Sequence, residues 1–206
     1  MANSTTGFFG LRPVRYVDGS PYSGATITCY KSASYAVAMY IGESVMISNA
    51  TADADALGRY LSIERATEED GGQILGVVTG FIDNDSDLVY SPASTEALVK
   101  VCIAKDVVFQ MKGGGTGTPA ASTHIGQNCA MAPGTPSTIT GLSGASVDES
   151  TQAQDASLPL VLLGIAELPD NELADYAVWD VLINVPQLFN LGGATAVGRH
   201  LGVAAT

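Results

Sequence analysis

The chain has 206 residues, of which 46% are hydrophobic and 15% charged, and a formal net charge of −12. That length fits one large domain or two small ones and buries about 70% of the unfolded surface, so the fold needs no disulfide or metal staple. Nine Lys and Arg against 21 Asp and Glu leave no basic face for neutralising phosphates, which argues against direct nucleic-acid binding, and no segment approaches the ~18 consecutive apolar residues of a membrane span.

The first residues, MANSTTGFFG, have neither the basic n-region nor the apolar stretch of a signal peptide, so synthesis and use in a cytoplasm are expected. The segment GFFGLRPVRYVDGSPYSGA holds Pro13 and Pro21, which disfavour regular helix, and Gly7, Gly10, Gly19 and Gly24, which permit sharp turns. Residues 1–24 read as an extended N-terminal arm, 25–190 as a single β domain and 191–206 as a C-terminal tail. The arm supplies the candidate partner-binding residues Phe8, Phe9, Arg12, Arg15, Tyr16 and Tyr22. Against another subunit its aromatics fill pockets while the arginines meet carboxylates. Equally, the segment is an N-terminal strand folded onto its own barrel, and the residues alone do not separate the two placements.

Behind the arm, short β-branched and apolar runs bounded by Gly, Pro, Asn, Asp and Ser predict about eight strands. They span Ala25–Lys31, Ala38–Ile47, Ile74–Phe81, Ala97–Ala104, Val107–Lys112, Asn128–Met131, Pro159–Ala166 and Ala177–Asn184. The fold class is therefore all-β, a β-sandwich or β-barrel with long Gly/Ser/Thr-rich connections. Between Ala50 and Gly72 only Leu57, Leu61 and Ile63 suggest an apolar face, which reads as a short helix or a surface loop. From Gly113 to Val147 the chain contains no Asp, Glu, Lys or Arg. Ile125, Cys129, Met131, Ile139, Leu142 and Val147 recur through this stretch, so short strands joined by glycine turns are expected, in an excursion crossing or overhanging the body. An internal echo is also present: ILGVVTGFIDN (74–84) resembles LLGIAELPDN (162–171), and ALVKVCIAKDVVF (97–109) aligns with AVWDVLINVPQLF (177–189).

Catalytic patterns are incomplete. Gly141-Leu142-Ser143-Gly144-Ala145 departs from a nucleophile elbow at its fifth position and lacks the following helix, and His124 and His200 are the two histidines available as a base. Asp83, Asp85 and Asp87 open like a calcium loop, but Leu88 and Ser94 stand where glycine and glutamate are required, so a solvated turn is expected. GGGTG (113–117) is followed by Thr118 and Pro119 and by no helix to hold a phosphate. Glu68, Glu69 and Asp70 read as a solvated face, and Cys29, Cys102 and Cys129 as buried free thiols. No cofactor, no metal and no enzyme activity are expected, which leaves a binding or building role.

GLRPVRYVDGSPYSGA resembles the opening of capsid-associated cement or decoration proteins of tailed bacteriophages. The likeness continues in order through YIGESV (40–45), GVVTGFI (76–82), YSPAST (90–95), TGLSG (140–144) and LLGIAELPDN. The chain departs from that pattern at Glu43-Ser44, where Asp-Pro is expected, and after Asn184, where a histidine is expected. The resemblance implies a virion structural protein at the capsid surface, assembled in the host cytoplasm. It further implies a homotrimer that binds the major capsid protein and stabilises the icosahedral shell. The competing expectation is an adhesive β-sandwich module that binds host-surface glycan, with Trp179 as the one tryptophan available for stacking.

Overall fold

The computed structural model describes residues 3–48, 50–66, 73–84, 88–103, 106–115 and 120–188. The tail at 191–206, His200, the acidic run Glu68–Asp70 and the positions of Asp85 and Asp87 lie outside them. The chain is all-β, with strands β1 (Arg12–Tyr16), β2 (Ile27–Lys31), β3 (Ser44–Ile47), β4 (Leu61–Arg65), β5 (Gly76–Asn84) and β6 (Ala97–Ile103). They are followed by β7 (Val107–Lys112), β8 (Asn128–Ala132), β9 (Ser146–Ala153), β10 (Leu160–Ile165) and β11 (Val178–Ile183). Each of the eight expected strands is present. Of the remaining three, β1 realises the strand placement of the leader, but by pairing with β7 and not with a barrel strand; β4 and β9 were not expected as strands from their residues, and β4 corrects the reading of Ala50–Gly72 as helix or loop. Among the described residues of that segment, only Thr51–Asp53 turns helically, as a single 3-10 turn.

Strands β2 to β6 close into a five-stranded barrel in the order β2-β4-β3-β5-β6, with β2 and β4 parallel and the other neighbours antiparallel. Its interior is filled by Cys29, Val45, Ile63, Leu75, Val78, Val99 and Val101. The β5–β6 wall is apolar on its other side too, because Ile74, Val77 and Cys102 point outward into a second core. Burial on both faces explains why ILGVV reads as a continuous apolar run rather than an alternating one.

The second core lies between that wall and a six-stranded sheet ordered β1-β7-β11-β10-β8-β9. Alternation along the strands sends Phe109, Met111, Trp179, Val181, Leu160, Leu162, Cys129, Met131 and Val147 inward. Three main-chain seams join sheet and barrel: Leu11 N–H donates to Gly42 O at 2.8 Å, Ile41 bridges Leu142, and Ile74 bridges Pro186. The glycine-rich excursion thus does cross to the barrel, and it contains β8 and the Leu142 seam.

The two echoed segments are both antiparallel hairpins, β5–β6 and β10–β11, but in different register. Gly76 faces Ile103, whereas its counterpart Gly164 faces Asp180 rather than Ile183. The likeness is one of hairpins and not of superposable units.

The Gly42 seam tolerates no side chain. Gly42 has φ +86° and a Cβ there would lie 2.1 Å from the Phe9 carbonyl oxygen. Gly42→Ala is therefore expected to cost about 2–4 kcal/mol in chemical denaturation. Gly164→Ala, where a Cβ meets nothing within 4 Å, should stay within about 0.5–1 kcal/mol of wild type. Equal stability of the two variants would show that the leader does not pass the barrel at Gly42.

Candidate interaction face

The leader is extended, and it lies along its own body. Asn3 anchors its start: the side-chain amide donates to the carbonyls of Glu172 and Asp175 at 2.8 and 2.9 Å, and its oxygen accepts from Glu172 N–H at 2.9 Å. Lys112 Nζ donates to Thr6 O and sits 5.3 Å from the Phe8 ring centroid, while Phe8 meets Tyr176 edge-on at 6.5 Å. The Arg12 guanidinium lies 4.7 Å over the Phe9 ring and donates to Gln110 Oε1 at 2.6 Å. Leu11 is 2% exposed and joins the core.

β1 then pairs antiparallel with β7, Arg12 opposite Gln110 and Tyr16 opposite Val107, with a bulge between Pro13 and Arg15. The bulge gives two arginines the same outward direction within one short strand. Arg15 reaches across β7 to Asp180 Oδ2 at 3.0 Å. Tyr16 points the other way, packs against the second core and meets Tyr22 at 6.0 Å between ring centroids. Tyr22 donates its hydroxyl proton to Ala25 O at 2.8 Å, and burial pushes its ionisation well above the usual phenol range. The outer edge of β1 is covered by the chain's own return: Tyr16 N–H donates to Ser20 O, Tyr22 N–H to Val14 O, and Arg15 bridges Pro21. Such cover blunts an edge strand against indiscriminate pairing.

The six residues expected to bind a partner are therefore divided. Phe8, Phe9, Arg12 and Arg15 are assembled on the outer side of the six-stranded sheet, Arg12 exposed and the others half-buried. Tyr16 and Tyr22 support the leader from the core side. Sequence reasoning missed the partners that complete the face, Gln110, Lys112 and Asp180. Their alternation within Val107–Lys112 and Val178–Ile183 shows that they point outward, but only the order of strands in the sheet brings them beneath the leader.

The other candidate groups have structural surroundings. Ser143 is 2% exposed and its hydroxyl oxygen accepts from Ala145 N–H at 3.2 Å. His124 Nδ1 accepts from Ala121 N–H at 3.2 Å and faces Gln152 Nε2 at 3.3 Å. Among the described residues, no three His, Cys, Asp or Glu side chains converge as a metal site, and no helix is long and apolar enough to cross a membrane. The three cysteines are buried free thiols, with burial raising Cys29 to about 12. Trp179 is 0% exposed and so presents no stacking platform to a sugar.

A buried acid stands directly behind this face. Glu149 on β9 is 0% exposed; its Oε1 accepts from Trp179 Nε1–H at 2.9 Å and its Oε2 has no hydrogen-bond partner. Gly113 leaves room for the carboxylate, since a Cβ there would lie 2.3 Å from Oε1. Burial pushes the Glu149 carboxyl above its ordinary value, the Trp179 N–H and the nearby Gly115 main-chain N–H oppose that shift, and Asp175 and Asp148 add to it. No family model matches the chain, and no curated protein or solved structure matches it either.

A glutamate whose folded-state pKa is raised binds its proton more tightly in the fold than in the unfolded chain. Its contribution is complete below the unfolded value near 4.5 and is lost as pH rises through the folded value. Glu149→Gln keeps an acceptor for Trp179 and removes the charge. The stability difference, variant minus wild type, is expected to grow from pH 4 to pH 8 in urea titrations followed by Trp179 fluorescence. A difference that shrinks over that range would mean the carboxylate is held charged.

Proposed function

We propose that the chain is a virion structural protein that binds and stabilises the icosahedral shell of a tailed bacteriophage, with the major capsid protein and further copies of itself, as a homotrimer, for partners. One observation carries this reading: the leader is held in a fixed, extended path that lays aromatic and cationic groups along one face of a rigid β body. Pre-organised groups lose little conformational freedom on docking, so even a modest contact area retains most of its gross attraction. Assembly on a symmetric lattice then multiplies the contact, because each copy bound places its neighbours at high effective concentration. A chain of net charge −12 is repelled by packaged DNA, which suits a position on the shell. The resemblance of its short motifs, in order, to those of cement proteins supports the same reading.

The glycan-binding alternative loses its tryptophan platform to the core, and no other observation favours it.

Sedimentation of the purified chain with empty phage heads tests the proposal directly: a trimer that co-sediments is expected, and a monomer that stays in solution would overturn it. Removing residues 1–21 takes out Leu11 and the whole of β1, so both stability and head binding should fall. Arg12→Glu separates the two effects. It is expected to weaken head binding by roughly tenfold, about 1.4 kcal/mol, with an unchanged unfolding midpoint and a smaller effect in high salt.

A further inference from the structure

The outer side of the six-stranded sheet carries a pocket of about 430 Å³ beside the bulge of β10. It exists because position 164 is glycine: Gly164 faces Asp180 across the β10–β11 pair, and a Cβ there would meet nothing within 4 Å. Val14 and Leu163 give it apolar walls, and Arg15 closes one side through its contact with Asp180 Oδ2. The second oxygen of Asp180 is buried without a hydrogen-bond partner. Glu167 lines the same pocket, is exposed, and has no hydrogen bond or ion pair among the described residues.

Arg15 balances one of the two carboxylates, which leaves the pocket with one unmatched negative charge above apolar walls. A pocket of this make-up complements an aliphatic stem ending in a single cation. We propose that it receives a lysine or arginine side chain presented by the partner shell protein, a proposal that rests on the cement reading above. The stem lies against Val14 and Leu163, and the cation meets Glu167. Charge explains the choice of occupant, since a carboxylate-bearing side chain would meet Glu167 with the wrong sign.

Pentylamine, which carries an ammonium on a five-carbon stem, is the probe, and pentanoate is the opposite-charge control. In amide NMR spectra of the full chain, millimolar pentylamine is expected to shift Val14, Arg15 and Gly164 to Glu167, and pentanoate to leave them in place. Gly164→Val fills the pocket and should abolish the shifts, while Glu167→Gln should weaken pentylamine binding several-fold. Both variants should also bind phage heads several-fold more weakly at an unchanged unfolding midpoint. Equal shifts with pentanoate, or undiminished pentylamine binding by Glu167→Gln, would overturn the proposal even if Gly164→Val fails to fold. Undiminished head binding by Glu167→Gln would remove the pocket from the shell contact and leave the cement reading intact. A wild-type chain that binds pentylamine but no heads would instead overturn the cement reading and with it the partner assigned to the pocket.

Discussion

The structure depends on one shared core between a closed barrel and an open sheet. Apart from β1, each half is contiguous in sequence, β2 to β6 and β7 to β11, and contiguous halves readily separate into two domains. Here they do not, because the β5–β6 wall buries both of its faces, one inside the barrel and one against Phe109, Met111 and Trp179. The leader makes the separation harder still. β1 precedes the barrel in sequence yet pairs with β7 beyond it, so the barrel is bracketed by two chain connections to the sheet, and pulling the halves apart would break the Leu11–Gly42 bond. The Ile41–Leu142 and Ile74–Pro186 bridges add two further ties at separate places along the seam.

Polar groups inside this apolar frame act as registration points. Lys31 is 0% exposed, and its Nζ donates to the carbonyls of Pro92 and Thr95 at 2.8 Å each, fixing the loop before β6 against β2. Burial lowers its pKa to about 8, the direction expected when an ammonium loses water without gaining a carboxylate. Asn171 does comparable work between β10 and β11, where its side chain exchanges hydrogen bonds with both main-chain groups of Val178 and so extends the ladder beyond the strands. A slip of one residue would leave such groups buried without partners, at about 1–3 kcal/mol each. Glu149 differs from them, because one of its oxygens already lacks a partner in the native fold.

How much of this was legible in the sequence follows from what each strand buries. Strands that bury apolar side chains on one or both faces, such as Gly76–Asn84, Val107–Lys112 and Leu160–Ile165, declared themselves by composition. β4 and β9 did not. In LSIER only Ile63 is fully buried, and SVDESTQA carries Asp148 and Glu149 where a strand is expected to be apolar. Their place is set by neighbours across the ladder, which a single sequence does not display. β1 was obscured by Pro13, tolerated because β1 is an edge strand. The interaction face was half legible: Phe8, Phe9, Arg12 and Arg15 stood out as basic and aromatic residues in an acidic chain. Gln110, Asp180 and Gly164 did not, because their relevance arises from strand order and from a bulge.

The same geometry explains why the leader's chemistry and its structural role cannot be separated by truncation. Tyr16 and Leu11 contribute apolar surface to the core while Arg12 and Arg15, on the opposite side of the same short strand, face outward. Period-two alternation alone would not place both arginines outward, since they lie three positions apart. The bulge at Val14 restores the match and lets one strand anchor the chain inward and present a pair of cations outward. Arg15 then leans on Asp180, which holds it in place and lowers its exposed charge, whereas Arg12 is backed by a neutral amide and an aromatic face that leave its charge available. The two arginines are thereby unequal: Arg15 shapes the wall of a pocket, and Arg12 presents an exposed positive charge on the face.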